Sequence, residues 1–254
     1  MATIQVGEKR YEDIQLIICD KDGTIVEFDA MWGNWIKNWI DRLIGHTKNQ
    51  HELDWESFTR NLDRSLGFDR ANTKVRPESP VAVSTMLKIN TVASTVLYQS
   101  GIDWHAAEEL VAQVASGPVV MTADMVQPVG AVKETFEAWR SAGIKVIIAT
   151  SDDREPAIAA TDLMGVTDLI TEFYCGNDPI ANKPNPEAIH TMSQKYGVAP
   201  NQMLMVGDAL SDIAFGRNGE LAGCIGISGG SGETEALQAA ADVVVDSIEK
   251  IKVG

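Results

Sequence analysis

Residues 14–24 read IQLIICDKDGT: a short apolar, β-rich run, Ile14–Cys19, that stops abruptly at Asp20-Lys21-Asp22-Gly23-Thr24. A short continuous apolar run of this kind suits a strand buried on both faces, as in a parallel sheet. The pattern recurs along the chain. Lys145–Ala149 (KVIIA) stops at TSDD, and Met203–Val206 (MLMV) stops at GDALSD. The weaker Gly223–Ile227 (GCIGI) stops at SGGSG, and Asp242–Val245 (DVVV) closes the set. Helical segments alternate with these runs. Val129–Ala142 follows Pro128 and ends at Gly143, Glu155–Met164 precedes Gly165, Pro186–Tyr196 precedes Gly197, and Ser211–Asn218 precedes Gly219. Glycine just past a periodic segment is a helix stop signal. The alternation predicts an α/β fold, a doubly wound parallel-sheet (Rossmann-like) core. Such sheets bind ligands beyond the carboxyl ends of their strands, and that is where the acidic clusters fall.

The interval from Phe28 to Met125 has another character. Met31–Ile44, Trp55–Gly67, Pro80–Ser100 and Asp103–Ala115 carry helical patterning, with a break at Pro77–Pro80 and no convincing buried strand. This predicts an all-helical domain, residues 28–125, inserted into a core made of residues 1–27 and 126–254, with crossings near Glu27–Ala30 and Thr122–Gln127. The first residues, TIQVGEKRYEDI, predict a small hairpin turning at Gly7-Glu8.

Composition narrows the partners. There are 36 acidic against 21 basic residues, a formal net charge of −15. That argues against nucleic acid and against anionic membranes, which both reward clustered Lys and Arg. It also means that an anionic substrate would need a local positive field, from a metal ion or a buried lysine. Three scattered cysteines (Cys19, Cys175, Cys224) without metal-ligand spacing read as reduced thiols. With no apolar run of membrane-spanning length and no leader pattern at the N-terminus, the expected location is cytoplasmic.

The strand ends carry the chemistry. Asp20 and Asp22 lie two residues apart, so both carboxylates can face one pocket. Two carboxylates this close repel unless a cation or shared proton intervenes. A divalent metal, with one acid as nucleophile and the other as proton shuttle, would resolve the conflict; an acidic turn before a glycine is the plainer reading. Gly23 lets the backbone turn sharply and bring amides, with Thr24 in the same turn, toward a bound anion. Thr150 and Ser151 place hydroxyls at a strand end, where they can bind a phosphate oxygen or cap the next helix. Lys183, in Asn182-Lys183-Pro184-Asn185-Pro186, is held by two prolines and can neutralise a carboxylate and a phosphoryl group, or belong to a surface loop. Asp208 can ligate magnesium, a hard cation that prefers oxygen. Asp212, one helical turn on, can orient Lys183 or a metal-bound water, or cap its helix.

In that order (DxDGT, a strand-end Ser or Thr, a Lys, GDxxxD) these motifs resemble those of the haloacid dehalogenase-like hydrolase superfamily over residues 12–27 and 126–250. The position of the helical insert resembles the family's type I cap. The resemblance implies attack on phosphorus by Asp20, proton transfer by Asp22, phosphoryl binding by Thr150 and Lys183, and magnesium held by the Asp20 carboxylate, the Asp22 backbone carbonyl and Asp208. It further implies a small soluble phosphate ester as substrate, and DKDGT before a Trp-rich helix with TSDDR later looks most similar to phosphoglycolate phosphatases. Family members that cleave carbon–halogen bonds lack the second Asp, so Asp22 favours phosphoryl transfer. A sugar-phosphate mutase uses the same motifs with a hydroxyl as acceptor, and a non-catalytic regulatory protein is the third reading, against which the intact motifs stand.

The insert says less. Trp32, Trp35 and Trp39 fall at helical spacing and read as packing rather than as a substrate wall. Arg70, Lys74 and Arg76 form a basic turn that could reach a substrate anion. Asp152 and Asp153 read as caps for the following helix, and the four histidines share no motif. Oligomeric state is not legible.

Overall fold

The computed structural model describes residues 2–115, 121–123 and 125–254. Its described strands are β1 (Ala2–Val6), β2 (Lys9–Ile14), β3 (Leu16–Cys19), β4 (Phe68–Asp69), β5 (Lys74–Val75), β6 (Lys145–Ala149), β7 (Glu172–Tyr174), β8 (Met203–Gly207), β9 (Gly223–Ile227), β10 (Val243–Val245) and β11 (Lys252–Val253). Its α-helices are α1 (Asn34–Thr47), α2 (Trp55–Leu66), α3 (Pro80–Val83), α4 (Met86–Gln99), α5 (Trp104–Ala115), α6 (Val132–Ser141), α7 (Arg154–Leu163), α8 (Glu187–Tyr196), α9 (Leu210–Asn218) and α10 (Thr234–Ala240). The chain divides into two compact units, Met1–Phe28 with Met121–Gly254, and Asp29–Val120.

The larger unit is built on a six-stranded sheet, order β10-β9-β8-β3-β6-β7, parallel throughout. This is the α/β, Rossmann-like core expected. The apolar run Ile14–Cys19 divides: Ile14 ends β2, and Leu16–Cys19 forms the central β3, fully buried along its length. β3 pairs in register with β6 on one side (Cys19 opposite Ile148) and β8 on the other (Cys19 opposite Val206). Flanked on both edges and covered on both faces, it has no surface that a polar side chain could occupy, which is why the apolar run is continuous. One face packs on Ala188, Ile189 and Met192 of α8 and Ile213 and Phe215 of α9, all buried. Burial of each of the larger side chains, Ile189, Met192, Ile213 and Phe215, contributes roughly 1.5–3 kcal/mol.

The N-terminal hairpin turns at Gly7, where φ is +58°, and β11 adds a third strand to it. The Trp139 indole of α6 donates to the Ile251 carbonyl at 3.1 Å, tying this ribbon to the core. Two strands of this unit escaped sequence reading, β7 and β11.

In the smaller unit, Asp54 caps α2: its carboxylate accepts from the Ser57 N–H at 3.0 Å and the Ser57 hydroxyl at 2.7 Å. The helix expected over Pro80–Ser100 is two helices, α3 and α4, because Ser84 and Thr85 are extended. A two-stranded antiparallel ribbon, β4 with β5, stands where no strand was expected. Trp35 and Trp39 are buried and stacked, ring centroids 6.2 Å apart, so the tryptophan stripe is packing. Arg70 does not present a free basic group: its guanidinium binds both oxygens of Asp63, at 2.8 and 3.0 Å, and Asp41 at 2.7 Å, bracing α2 against α1. The expected crossing at 122–127 includes Asp124, which lies outside the described residues. Among the described residues no helix is long and apolar enough to cross a membrane.

Candidate active site at the strand ends

The carboxyl ends of β3, β6 and β8 deliver Asp20, Thr150 and Asp208 directly, one residue past each strand. Lys183 arrives from the loop between β7 and α8, and Asp212 from the first turn of α9. The sequence separations are large, yet the side chains meet. Lys183 Nζ lies 2.5 Å from Asp20 Oδ1 and 2.6 Å from Asp212 Oδ1. Asp20, Asp208 and Asp212 each offer an oxygen within 4.8 Å of the others. All three acids are buried, Asp208 and Asp212 to within 1% of complete burial.

Three buried carboxylates therefore share one ammonium. Burial pushes the Asp20 carboxyl well above the usual range, opposed by Lys183 and reinforced by Asp212 and Asp208. Asp208 is pushed up to about 6, by burial and then by Asp212, against the hydrogen bonds from Ser231. Lys183 is raised although burial works to lower it, because Asp20 and Asp212 outweigh that cost. Surplus negative charge on hard oxygen donors is the electrostatic signature of a divalent-cation site.

Asp208 is held with particular care. Its Oδ1 accepts from the Thr24 hydroxyl at 3.1 Å, and its Oδ2 from the Ser231 N–H at 2.6 Å and hydroxyl at 2.7 Å. Gly23 has φ +84°, and a Cβ there would lie 2.4 Å from Asp208 Oδ2. A Cβ on Gly230 would lie 2.2 Å from the same atom. Both glycines are thus required by close approach to one carboxylate. Thr24, expected to bind substrate, commits its hydroxyl to Asp208. The SGGSG loop after β9 went unassigned in the sequence reading; Ser231 lies more than twenty residues beyond its partner, and no spacing rule links them.

Asp212 Oδ2 accepts from the Ala209 N–H at 3.0 Å, so it caps α9 and holds Lys183 with opposite oxygens. It also stands within the acid cluster itself. Asp22 differs. Its carboxylate turns to Lys21, with Oδ1 2.5 Å from the ammonium, and takes no part in the acid cluster. Thr150 is buried and lines a small cavity with Lys183 and Tyr174; its hydroxyl accepts from the Asp152 N–H at 3.1 Å. Ser151 is exposed. Asp153 stands at the start of α7 without a side-chain cap bond, while Asp152 turns inward to Lys21, 3.3 Å away. Sequence reading missed Lys21 because a lysine between two aspartates looks like a solvated turn residue.

The chain is 32% identical over 126 residues to a phosphoglycolate phosphatase of Vibrio vulnificus, 47% of this chain and 53% of that protein. The chain thus spans about half the length of the curated relatives it matches. In fold it is similar to a candidate phosphoglycolate phosphatase from Haemophilus somnus, with a TM-score of 0.60 at 18% identity, covering 93% of this chain and 95% of that one. It is similar also to a candidate β-phosphoglucomutase from Thermotoga maritima, with a TM-score of 0.63 at 14% identity, covering 93% and 96%. The family profile of the haloacid dehalogenase-like hydrolases matches residues 14–219, most of the α/β unit together with the inserted helices. By that match, and by the order in which its acids and lysine leave the strands, this chain belongs to the haloacid dehalogenase-like hydrolases.

Proposed function

We propose that the protein is a magnesium-dependent phosphatase that hydrolyses a small soluble phosphomonoester, phosphoglycolate-like in class, through an aspartyl-phosphate on Asp20. The observation that carries the reading is the junction of Asp20 with buried Lys183 at the end of the central strand, 2.5 Å apart, inside a cluster of three acids. The ammonium favours the ionised, attacking form of Asp20 against the burial that works to protonate it, and offers a positive charge to the oxygens of an incoming phosphoryl group. Asp20 displaces the ester oxygen from phosphorus; Asp22 gives that oxygen a proton and later takes one from the water that cleaves the aspartyl-phosphate. Thr150, Ser151 and the Gly23–Thr24 turn are read as phosphoryl-binding elements.

The donor set fits magnesium. Asp20 and Asp208 with the Asp22 carbonyl would hold it, and Asp212 orients Lys183 and the metal's surroundings. When bound, the cation supplies charge neutralisation for the transferring phosphoryl group. We read residues 29–120 as the counterpart of the family's type I cap, and the protein as acting on small molecules in the cytoplasm rather than on nucleic acid or at a membrane.

The second reading is a sugar-phosphate mutase, supported by likeness in fold to a β-phosphoglucomutase-type structure. One experiment separates them. Phosphate release from a panel of small esters, with magnesium or excess chelator, is expected for wild type and lost in Asp20→Asn. Isomerisation of a hexose phosphate without net phosphate release would replace the phosphatase reading by the mutase. No turnover of any kind by folded, magnesium-loaded protein would end both.

A further inference from the structure

Lys21 is fully buried, 0% exposed, yet neither the family motifs nor the proposed chemistry gives it work. Burying an ammonium costs several kcal/mol unless it is paired. Here it is paired twice, 2.5 Å from Asp22 Oδ1 and 3.3 Å from Asp152 Oδ2. Both pairings hold the lysine above its ordinary pKa, although burial alone would lower it. Each end of this bridge is fixed to the main chain. The Lys21 carbonyl accepts from the N–H groups of Ile25 and Val26, both at 3.0 Å, closing the turn that carries Asp22. Asp152 is anchored through its N–H to the Thr150 hydroxyl at 3.1 Å, and its carbonyl accepts from the Gly176 N–H at 2.7 Å. A Cβ on Gly176 would lie 2.2 Å from the neighbouring Ser151 carbonyl oxygen, so that loop sits tightly against the strand end.

We infer that Lys21 and Asp152 are positioning residues for the Asp22 carboxylate. The inference rests on the phosphatase reading, and deepens it by explaining what keeps the proton-transferring acid in place. An unpaired aspartate two residues from Asp20 is pushed away by like charge and free to turn about its side-chain bonds. The ammonium removes that freedom. It takes Oδ1, which leaves Oδ2 for proton transfer to the ester oxygen and, in the second step, from water. Asp152, 3.3 Å from the same ammonium, gives the lysine a second anchor, so that it does not simply follow Asp22.

The test uses a property of acid catalysis. A proton is needed by a poor leaving group, such as the alkoxide of an alkyl phosphate, and hardly by nitrophenolate. Single-turnover release of the leaving group is measured with the best alkyl monoester of the panel and with p-nitrophenyl phosphate. Lys21→Met and Asp152→Asn are each expected to slow alkyl release by about 10- to 100-fold, in the range of general-acid contributions. Nitrophenolate release should fall less than about threefold on the same argument, and Lys21→Arg should recover part of the alkyl rate. In an Asp22→Asn background either change should add little, because the residue they position is gone. Equal losses on both esters, unchanged or faster alkyl release, or additive losses with Asp22→Asn would each overturn the inference. Should Lys21→Met fail to fold, Asp152→Asn alone carries the comparison. If wild type releases neither leaving group, the phosphatase reading itself has failed and the inference falls with it; if wild type works and the variants match it, only the inference fails.

Discussion

Two buried lysines stand at the end of the same sheet, each bridging two aspartates, and they are not equivalent. Lys183 joins Asp20 and Asp212, with Asp208 completing a cluster of three acids within 4.8 Å. Lys21 joins Asp22 and Asp152. In the first cluster the ammonium leaves two negative charges without a partner, which suits a site built to receive a divalent cation. In the second a single negative charge is left, close to what side-chain pairing and partial exposure can carry. Asp22 and Asp152 are 13% and 15% exposed at their side chains, against 11% for Asp20 and 2% for Asp212. The difference teaches that one extra acid around a single lysine leaves the charge surplus that the proposed metal site needs, and that the proposed positioning pair lacks.

The largest expected effect tests whether the first cluster is the reacting one. Asp20→Asn should lower turnover by about a thousandfold or more, as loss of a nucleophile does, while the fold survives because the amide keeps the shape of the acid. Acid-quenched protein from wild type should carry a hydroxylamine-sensitive phosphoryl group, and the variant none. Retention of that label in Asp20→Asn would assign the nucleophile elsewhere.

Next comes the contrast between the lysines. Removing one partner of a buried ion pair commonly costs about 3–5 kcal/mol, so Lys183→Met and Lys21→Met should both melt well below wild type in chelator. Magnesium should recover much of the loss in Lys183→Met, since the cation neutralises the same acids, and little in Lys21→Met, whose acids lie outside the cluster. Equal recovery in the two variants would erase the distinction drawn above.

The cluster contrast also shows where sequence was informative. Asp20, Thr150 and Asp208 were legible because each follows an apolar run that has to be a buried strand, and the parallel order brings strand ends together. Helix ends in the core fell within about three residues of their glycine stops. Lys21 and Asp152 were not legible: Asp152 is held by a contact from Gly176, more than twenty residues on, and their types are those of a solvated turn. Edge strand β7, reading Glu-Phe-Tyr and only half buried, and the two-residue β11 lack the apolar run that marks β3. The split between α3 and α4 turns on the extended Ser84-Thr85 pair, whose residues also occur inside helices.

A smaller effect sharpens the metal assignment. A ligand at a hundred times its dissociation constant stabilises by about 2.7 kcal/mol, and roughly 2–4 °C of Tm accompanies each kcal/mol in a chain of this size. Wild type should therefore melt several degrees higher in saturating magnesium, by calorimetry without any substrate. Asp208→Asn should lose most of that rise, and Asp152→Asn should keep it. A full magnesium shift in Asp208→Asn would remove that residue from the ligand set.

The smallest effect comes from an acid outside both clusters. Asp242 accepts from Arg217 at 2.9 Å and from the Cys224 N–H at 2.7 Å, linking α9 to β9 at the start of β10. Burial works to raise its pKa, but the hydrogen bonds from Arg217 and Cys224 win and hold it below the usual carboxylate range. A depressed folded pKa means that its contribution is present above the unfolded value, near 3.9 for aspartate, and is lost as pH falls through the folded value. Asp242→Asn should therefore lower Tm modestly at pH 7, and the gap from wild type should close as pH drops below about 4. Half-exposed Arg217 lets salt screen this pair, so 1 M salt should narrow the gap as well. The buried Lys183 and Lys21 clusters should keep most of their stabilisation under the same salt. A gap at Asp242 that ignored salt while those at the lysines collapsed would invert the ranking of buried over exposed charge on which the comparison rests.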